Sequence, residues 1–166
     1  MDNVNRIRVG FFAPDFVLKD SEGKKVGLSD FRGRKNLLLF FCHGKRCNIC
    51  PDYLDELGRN YDRIRQKDTE ILALSPDETW TSRRIKEKKN IQFPILKIER
   101  DLRSDLQAPP VTQQYGVQTS ESGGESFYPA IFLVDKRGII RFRKVFIQPT
   151  EKLNTEELLC ELDKLG

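Results

Sequence analysis

The chain has 166 residues, with 29 basic and 25 acidic side chains, a single histidine and a formal charge of +4 at neutral pH. That length suits one domain over 1–166 with a core of its own, needing neither disulfides nor a metal for stability. So small and so mixed a charge excess does not mark a nucleic-acid protein, and four cysteines are too few for a disulfide scaffold.

Phe16-Val17-Leu18 and Lys25-Val26 flank Ser21-Glu22-Gly23, the pattern of a short N-terminal β-hairpin. Leu28 to Gly33 leads into Asn36–Cys42, an apolar run without polar alternation that suits a strand buried on both faces. A helix is expected from about Cys47 to Gln66, with Ile49, Tyr53, Leu54, Leu57, Tyr61 and Ile64 at helical spacing. Pro51 is tolerated only in its first turn, which places the helix start close to Cys47. Glu70–Ser75 is a second buried strand. Glu78–Lys89 is a polar helix whose Arg83, Arg84, Lys86, Lys88 and Lys89 form a solvated face. Phe93–Ile98 is a short edge strand, since Pro94 is confined to such places. Pro109-Pro110 precedes a turn of helix at Thr112–Tyr115, and Ser120–Ser126 is a mobile loop. Ala130–Asp135, the turn Lys136-Arg137-Gly138 and Ile139–Val145 form a hairpin. The last helix opens at Asn154, with Glu157 completing a capping box and Leu158, Leu159, Leu162 and Leu165 as its buried stripe. Strand–helix–strand units followed by a late hairpin give an α/β fold. It is thioredoxin-like, with a central mixed sheet, helices on both faces and an N-terminal β-hairpin.

Three of the four cysteines fall within nine residues, and Cys47-Asn48-Ile49-Cys50 stands where the first long strand meets a helix. Unpaired N–H groups and the helix dipole favour an anion there, so a thiolate is favoured over a thiol. Lys45 and Arg46 add positive charge just upstream, and His43 is a candidate proton donor. The two-residue spacing lets one sulfur attack the other once that is oxidised or captured as a mixed disulfide. This is a redox motif by default in a cysteine-poor βαβ chain. Zinc on Cys42, His43, Cys47 and Cys50 is the rival reading, opposed by the adjacency of Cys42 and His43, which tend to point opposite ways. Pro51 after Cys50 excludes covalent haem attachment. Cys42 is expected to pack, and Cys160, one position beyond the Leu158/Leu159 stripe, to pack in part, with a distant resolving thiol as its alternative. Tyr128-Pro129, directly before a strand, is the second site candidate, either as a cis bond or as an ordinary trans proline at a strand start.

Gly10-Phe11-Phe12-Ala13-Pro14-Asp15-Phe16 resembles the opening of the peroxiredoxin/redoxin family, and Phe41 to Cys50 resembles its cysteine motif in the alkyl hydroperoxide reductase/thiol-specific antioxidant branch. Tyr128 to Gly138 is similar to the cis-proline strand and following hairpin of thioredoxin-like reductases. Laid on the family's peroxidase motif, the proline and threonine positions fall on His43 and Cys47, and only Cys50 matches. Tyr128-Pro129 stands where the family carries an active-site arginine. The resemblance therefore implies the dithiol arrangement of thioredoxin. Cys47 is the nucleophile, Cys50 resolves, and Pro129 shapes a groove for an extended partner.

The resulting expectation is a thiol–disulfide oxidoreductase cycling a Cys47–Cys50 disulfide, a peroxiredoxin-like antioxidant protein. It uses no cofactor or metal and takes electrons from a thioredoxin-type or small-thiol donor. Its substrates are protein disulfides or hydroperoxides. The enzyme alternative is a thiol peroxidase with Cys50 peroxidatic and Cys47 resolving. The non-enzyme alternatives are a zinc-stabilised or a redox-inert binding module. The longest apolar run, Leu37 to Cys42, is far short of a membrane span, and Met1–Arg6 offers no apolar leader. A cytoplasmic protein, monomeric or homodimeric, is expected, with neither nucleic acid nor membrane as partner.

Overall fold

A computed structural model describes residues 7–42, 50–99, 111–118, 127–148 and 151–165. In chain order its elements are β1 (Val17–Lys19), β2 (Lys25–Gly27), a 3-10 turn (Leu28–Phe31), β3 (Asn36–Phe41), α1 (Cys50–Arg59), α2 (Tyr61–Arg65), β4 (Thr69–Ser75), α3 (Thr79–Lys89), β5 (Ile95–Lys97), α4 (Val111–Gln114), β6 (Ala130–Val134), β7 (Ile140–Val145) and α5 (Thr155–Asp163). β1 and β2 pair as an antiparallel hairpin, and the main sheet has the order β5-β4-β3-β6-β7. Parallel pairs β3–β4 and β4–β5 occupy one half of it, and antiparallel pairs β3–β6 and β6–β7 the other. The sheet is mixed, as the order of elements predicts.

All residues of the central strand β3 are buried, and successive side chains alternate between two cores. Leu37, Leu39 and Phe41 pack with Phe16 and Leu18 from the hairpin, Val111 and Tyr115 at α4, and Phe132 of β6. Leu38, Phe40 and Cys42 pack with Cys50, Tyr53, Leu54 and Leu57 of α1, Ile64 of α2 and Leu158 and Leu162 of α5. Each large apolar side chain so buried contributes about 1.5–3 kcal/mol before entropy is counted. On the first face Phe41, Tyr115 and Phe132 pack ring against ring, with centroids 5.1–5.7 Å apart. The Tyr115 hydroxyl donates to the Pro14 carbonyl at 2.6 Å, tying the N-terminal segment to that face.

The helix expected over Cys47–Gln66 is divided at Asn60 into α1 and α2. The Asn60 side-chain amide donates to the Glu56 carbonyl at 2.8 Å, competing for the acceptor of the helical ladder. Periodicity is unaffected, because both pieces bury the same stripe. α3 keeps Arg83, Arg84 and Lys88 exposed, as its charge pattern predicts, and ends at Asn90 in the left-handed conformation. α5 begins as expected, with the Glu157 amide donating to Asn154 Oδ1 at 3.0 Å. Cys160, expected to pack in part, is instead exposed, because it lies one position outside the Leu158, Leu159 and Leu162 stripe. Among the described residues no peptide bond is cis, so Tyr128–Pro129 takes the ordinary trans form. The Pro109-Pro110 interruption and the Ser120–Ser126 loop lie outside the described residues.

Asp135 holds the β6–β7 turn. Its Oδ1 accepts from the amides of Arg137 and Ile139, both at 2.9 Å, and its Oδ2 from Arg141 Nε at 2.7 Å. Burial alone pushes this carboxyl up, but the Ile139 amide, the Arg141 guanidinium and the Arg137 amide outweigh it and hold the group below the usual carboxylate range. A carboxyl depressed in the folded state stabilises above its unfolded pKa, about 3.9, and loses that contribution as pH falls through the folded value. Asp135→Ala is therefore expected to cost about 2 kcal/mol near neutral pH and distinctly less near pH ~3, in paired urea titrations.

Asn36 is fully buried at the start of β3, and neither its amide nitrogen nor its oxygen has a hydrogen-bond partner among the described residues. Leaving such a group unsatisfied costs about 1–3 kcal/mol. Asn36→Leu should raise the thermal midpoint, and a lowered midpoint would show that the amide is satisfied in solution.

Candidate active site

The C-terminal ends of β3 and β4 carry the site. The Cys42 amide donates to the Leu74 carbonyl at 2.8 Å, prolonging the parallel pairing one residue past Phe41. By the alternation of β3, Cys42 lies on the α1 face with Leu38 and Phe40, and all three belong to the core that includes Cys50. Cys50 is the first described residue of α1, followed by Pro51, whose missing N–H is harmless in a first turn. Cys50 has no exposed surface and Cys42 is 4% exposed.

A cavity of about 160 Å³ lies against both cysteines. Leu54, Ala73, Ile85 and Ile95 supply its apolar wall, and Ser75, Asp77, Ser82 and Lys89 its polar margin. It lies along the last residues of β4 and the start of β5, where α1 and α3 approach. The Asp77 amide donates to Ser75 Oγ at 3.1 Å, closing the turn after β4. Lys89 Nζ reaches both Asp55 carboxylate oxygens, at 3.1 and 3.2 Å, and so clamps the end of α3 to α1.

Tyr53, one turn beyond Cys50, anchors α1 from the other side. Its ring stands 4.9 Å from Phe146 and 6.1 Å from Phe40, and its hydroxyl donates to the Glu151 carbonyl. Phe146 in turn donates its amide to the Pro129 carbonyl at 2.8 Å. Pro129 is buried, and the next residue, Ala130, pairs with Phe41. Pro129 thus stands at the same sheet end as the cysteines, linked to α1 through Phe146 and Tyr53. Tyr128 is half-buried and donates its amide to the Val117 carbonyl at 2.9 Å.

Of the residues singled out from sequence, Cys50, Tyr128 and Pro129 are brought to this end of the sheet, while His43, Lys45, Arg46 and Cys47 lie outside the described residues. Two members of the zinc quartet therefore have no described position, and no group of three or more His, Cys, Asp or Glu residues suited to a metal occurs among the described residues. Cys42, expected only to pack, lines the cavity beside Cys50. Ser75, Asp77 and Lys89 were not anticipated. Their approach to Cys50 depends on tertiary packing, although the two-residue alternation from Leu38 through Phe40 to Cys42 already points Cys42 towards α1.

The AhpC/TSA family matches residues 9–143. The chain is 33% identical over 140 residues to alkyl hydroperoxide reductase E of Mycobacterium tuberculosis, covering 84% of this chain and 86% of that one. It is 30% identical over 157 residues to the thiol-disulfide oxidoreductase ResA of Bacillus cereus, covering 94% and 77%. The fold is also that of the peroxidoxin BcpB from Mycobacterium tuberculosis, with a TM-score of 0.78 at 18% identity over 96% of this chain and 99% of that one. A peroxiredoxin-like protein from Aquifex aeolicus superposes with a TM-score of 0.77 at 18% identity, over 96% and 88%. The matched stretch runs from before β1 into β7 and includes Cys42, Cys50 and Pro129, so the chain belongs to the AhpC/TSA family of thiol-dependent oxidoreductases.

Proposed function

We propose that the protein is a thiol–disulfide oxidoreductase in which Cys47 attacks and Cys50 resolves. The observation that carries this reading is the complete burial of Cys50. A thiol without exposed surface cannot meet the disulfide of another protein, so it acts second, on a sulfur already joined to its neighbour in the motif. The Cys47 thiolate attacks one sulfur of the substrate disulfide and expels the other as a thiolate. Cys50 then loses its proton and attacks the Cys47 sulfur, forming Cys47–Cys50 and releasing the second substrate thiolate. A thioredoxin-type or small-thiol donor returns two electrons and two protons. Lys45 and Arg46, adjacent to Cys47 in sequence, favour its thiolate, and His43 protonates the leaving sulfur. Pro129, backed by Phe146, borders the groove for an extended substrate, with Tyr128 beside it. The setting is the cytoplasm, where such dithiols stay reduced between turnovers.

The cavity at Cys50 favours a second reading, peroxidase chemistry, because a small hydroperoxide needs far less room than a protein. Alkyl hydroperoxide reductase E is among the relatives. In that case Cys50 takes the terminal peroxide oxygen, an alcohol leaves, and Cys47 condenses with the resulting sulfenic acid, releasing water.

Cys47→Ser and Cys50→Ser, made separately, distinguish the two. Cys47→Ser should lower disulfide reduction at least ~100-fold, and Cys50→Ser should accumulate a mixed disulfide between Cys47 and substrate, visible on a non-reducing gel. If Cys47→Ser still consumes one equivalent of hydroperoxide and Cys50→Ser consumes none, Cys50 is the attacking thiol and the proposed order is wrong.

A further inference from the structure

We propose that Cys42 is a third redox-active thiol of this site, exchanging with the Cys47–Cys50 disulfide through the cavity it shares with Cys50. The inference rests on the dithiol reading above and adds a residue to it. Three observations support it. β3 alternation sends the Cys42 side chain to the α1 face, and Cys42 and Cys50 belong to one core cluster. Both residues line the same cavity of about 160 Å³. Cys42 is anchored through its amide to Leu74, so the strand end is fixed while the space beside both sulfurs is unfilled.

A disulfide needs Cβ atoms within about 3.5–4.5 Å and sulfurs free to rotate into a right-angled dihedral. In a core packed at normal density such rotation is blocked by neighbouring atoms. Unfilled volume against both residues removes that block and gives the first turn of α1 room to settle towards β3. Cys160 has no comparable standing, since it is exposed on α5 and does not line the cavity.

The exchange balances without any further oxidant. The Cys42 sulfur attacks Cys50 in the Cys47–Cys50 disulfide, the Cys42–Cys50 bond forms, the Cys47–Cys50 bond breaks, and the proton lost by Cys42 is matched by one gained at Cys47. Two cysteines remain oxidised throughout. The transfer returns Cys47 as a thiol and holds the oxidation between two residues whose exposure is 4% and 0%, out of reach of a large reductant. Oxidised protein would then divide between the Cys47–Cys50 disulfide and the sheltered Cys42–Cys50 one.

The sequence makes this measurable, because trypsin cuts after Lys35, Lys45, Arg46 and Arg59, placing Cys42 in peptide 36–45 and both Cys47 and Cys50 in peptide 47–59. A Cys160→Ser background removes the exposed thiol. Cys47→Ser protein in that background is oxidised with diamide, which accepts the two thiol hydrogens and becomes a hydrazine. It is then quenched, alkylated in denaturant and digested without reductant. Most of the chains should carry peptide 36–45 linked to peptide 47–59, and adding Cys42→Ala should abolish the link. The protein with Cys47 intact, treated alike, should show peptide 47–59 lighter by two hydrogens together with a lesser linked fraction. Absence of the link in folded Cys47→Ser protein, with the internal disulfide present when Cys47 is intact, overturns the role of Cys42 and leaves the dithiol reading standing. Absence of the internal disulfide when Cys47 is intact overturns the dithiol reading itself and, with it, the exchange.

Discussion

The strict alternation of β3 is the constraint on which the rest of the structure depends. The strand is buried along its whole length between a parallel neighbour, β4, and an antiparallel one, β6. With no solvent face, its register cannot slip without exchanging two filled cores. Leu37, Leu39 and Phe41 commit one face to the N-terminal hairpin and α4, while Leu38 and Phe40 commit the other to α1, α2 and α5. The same two-residue step that seats these side chains carries on to Cys42 and leaves it no choice of face. The placement of Cys42 at the strand end is thus a consequence of packing several residues earlier.

Burial of Cys50 limits what that thiol can meet. A nucleophile that must meet a bulky disulfide needs exposure, whereas a resolving thiol needs only a neighbour. A sequence spacing of two residues does not assign these roles, but complete burial at the start of α1 does bear on them. Tyr53 holds this arrangement in place by joining α1 to the segment after β7 through Phe146 and the Glu151 carbonyl. Since Phe146 also bonds Pro129, the start of α1 and the start of β6 are positioned as one unit.

Much of the fold was legible in the sequence, for identifiable reasons. Uninterrupted apolar runs marked β3, β4 and β6, and Asn154 with Glu157 marked the start of α5, because these signals lie within a few residues of one another. The break at Asn60 was not legible, since its side-chain bond to the Glu56 carbonyl leaves the apolar period intact. Cys160 is exposed rather than partly packed because one position on a helix is a 100° rotation, enough to carry a side chain from the stripe to solvent. The location of Cys50 and Pro129 at one end of the sheet was legible from motif spacing. Ser75, Asp77 and Lys89 were not, because they approach Cys50 only through the packing of α3 and β4 against α1. The remaining candidates, His43, Lys45, Arg46 and Cys47, rest on sequence reasoning alone.

The cavity beside Cys42 and Cys50 is bordered by the same core that buries Leu38 and Phe40. Larger side chains at Ala73 or Ser75 would fill part of its volume of about 160 Å³, yet both positions carry small ones. The proposed disulfide exchange would supply a physical reason for that space. Each exchange rotates two sulfurs through a large dihedral, and close-packed neighbours resist such rotation far more than an unfilled volume does. Unfilled volume at Cys42 and Cys50, and dense packing at Leu38 and Phe40 on the same strand, therefore divide β3 into a part that must stay still and an end whose side chain has room to move.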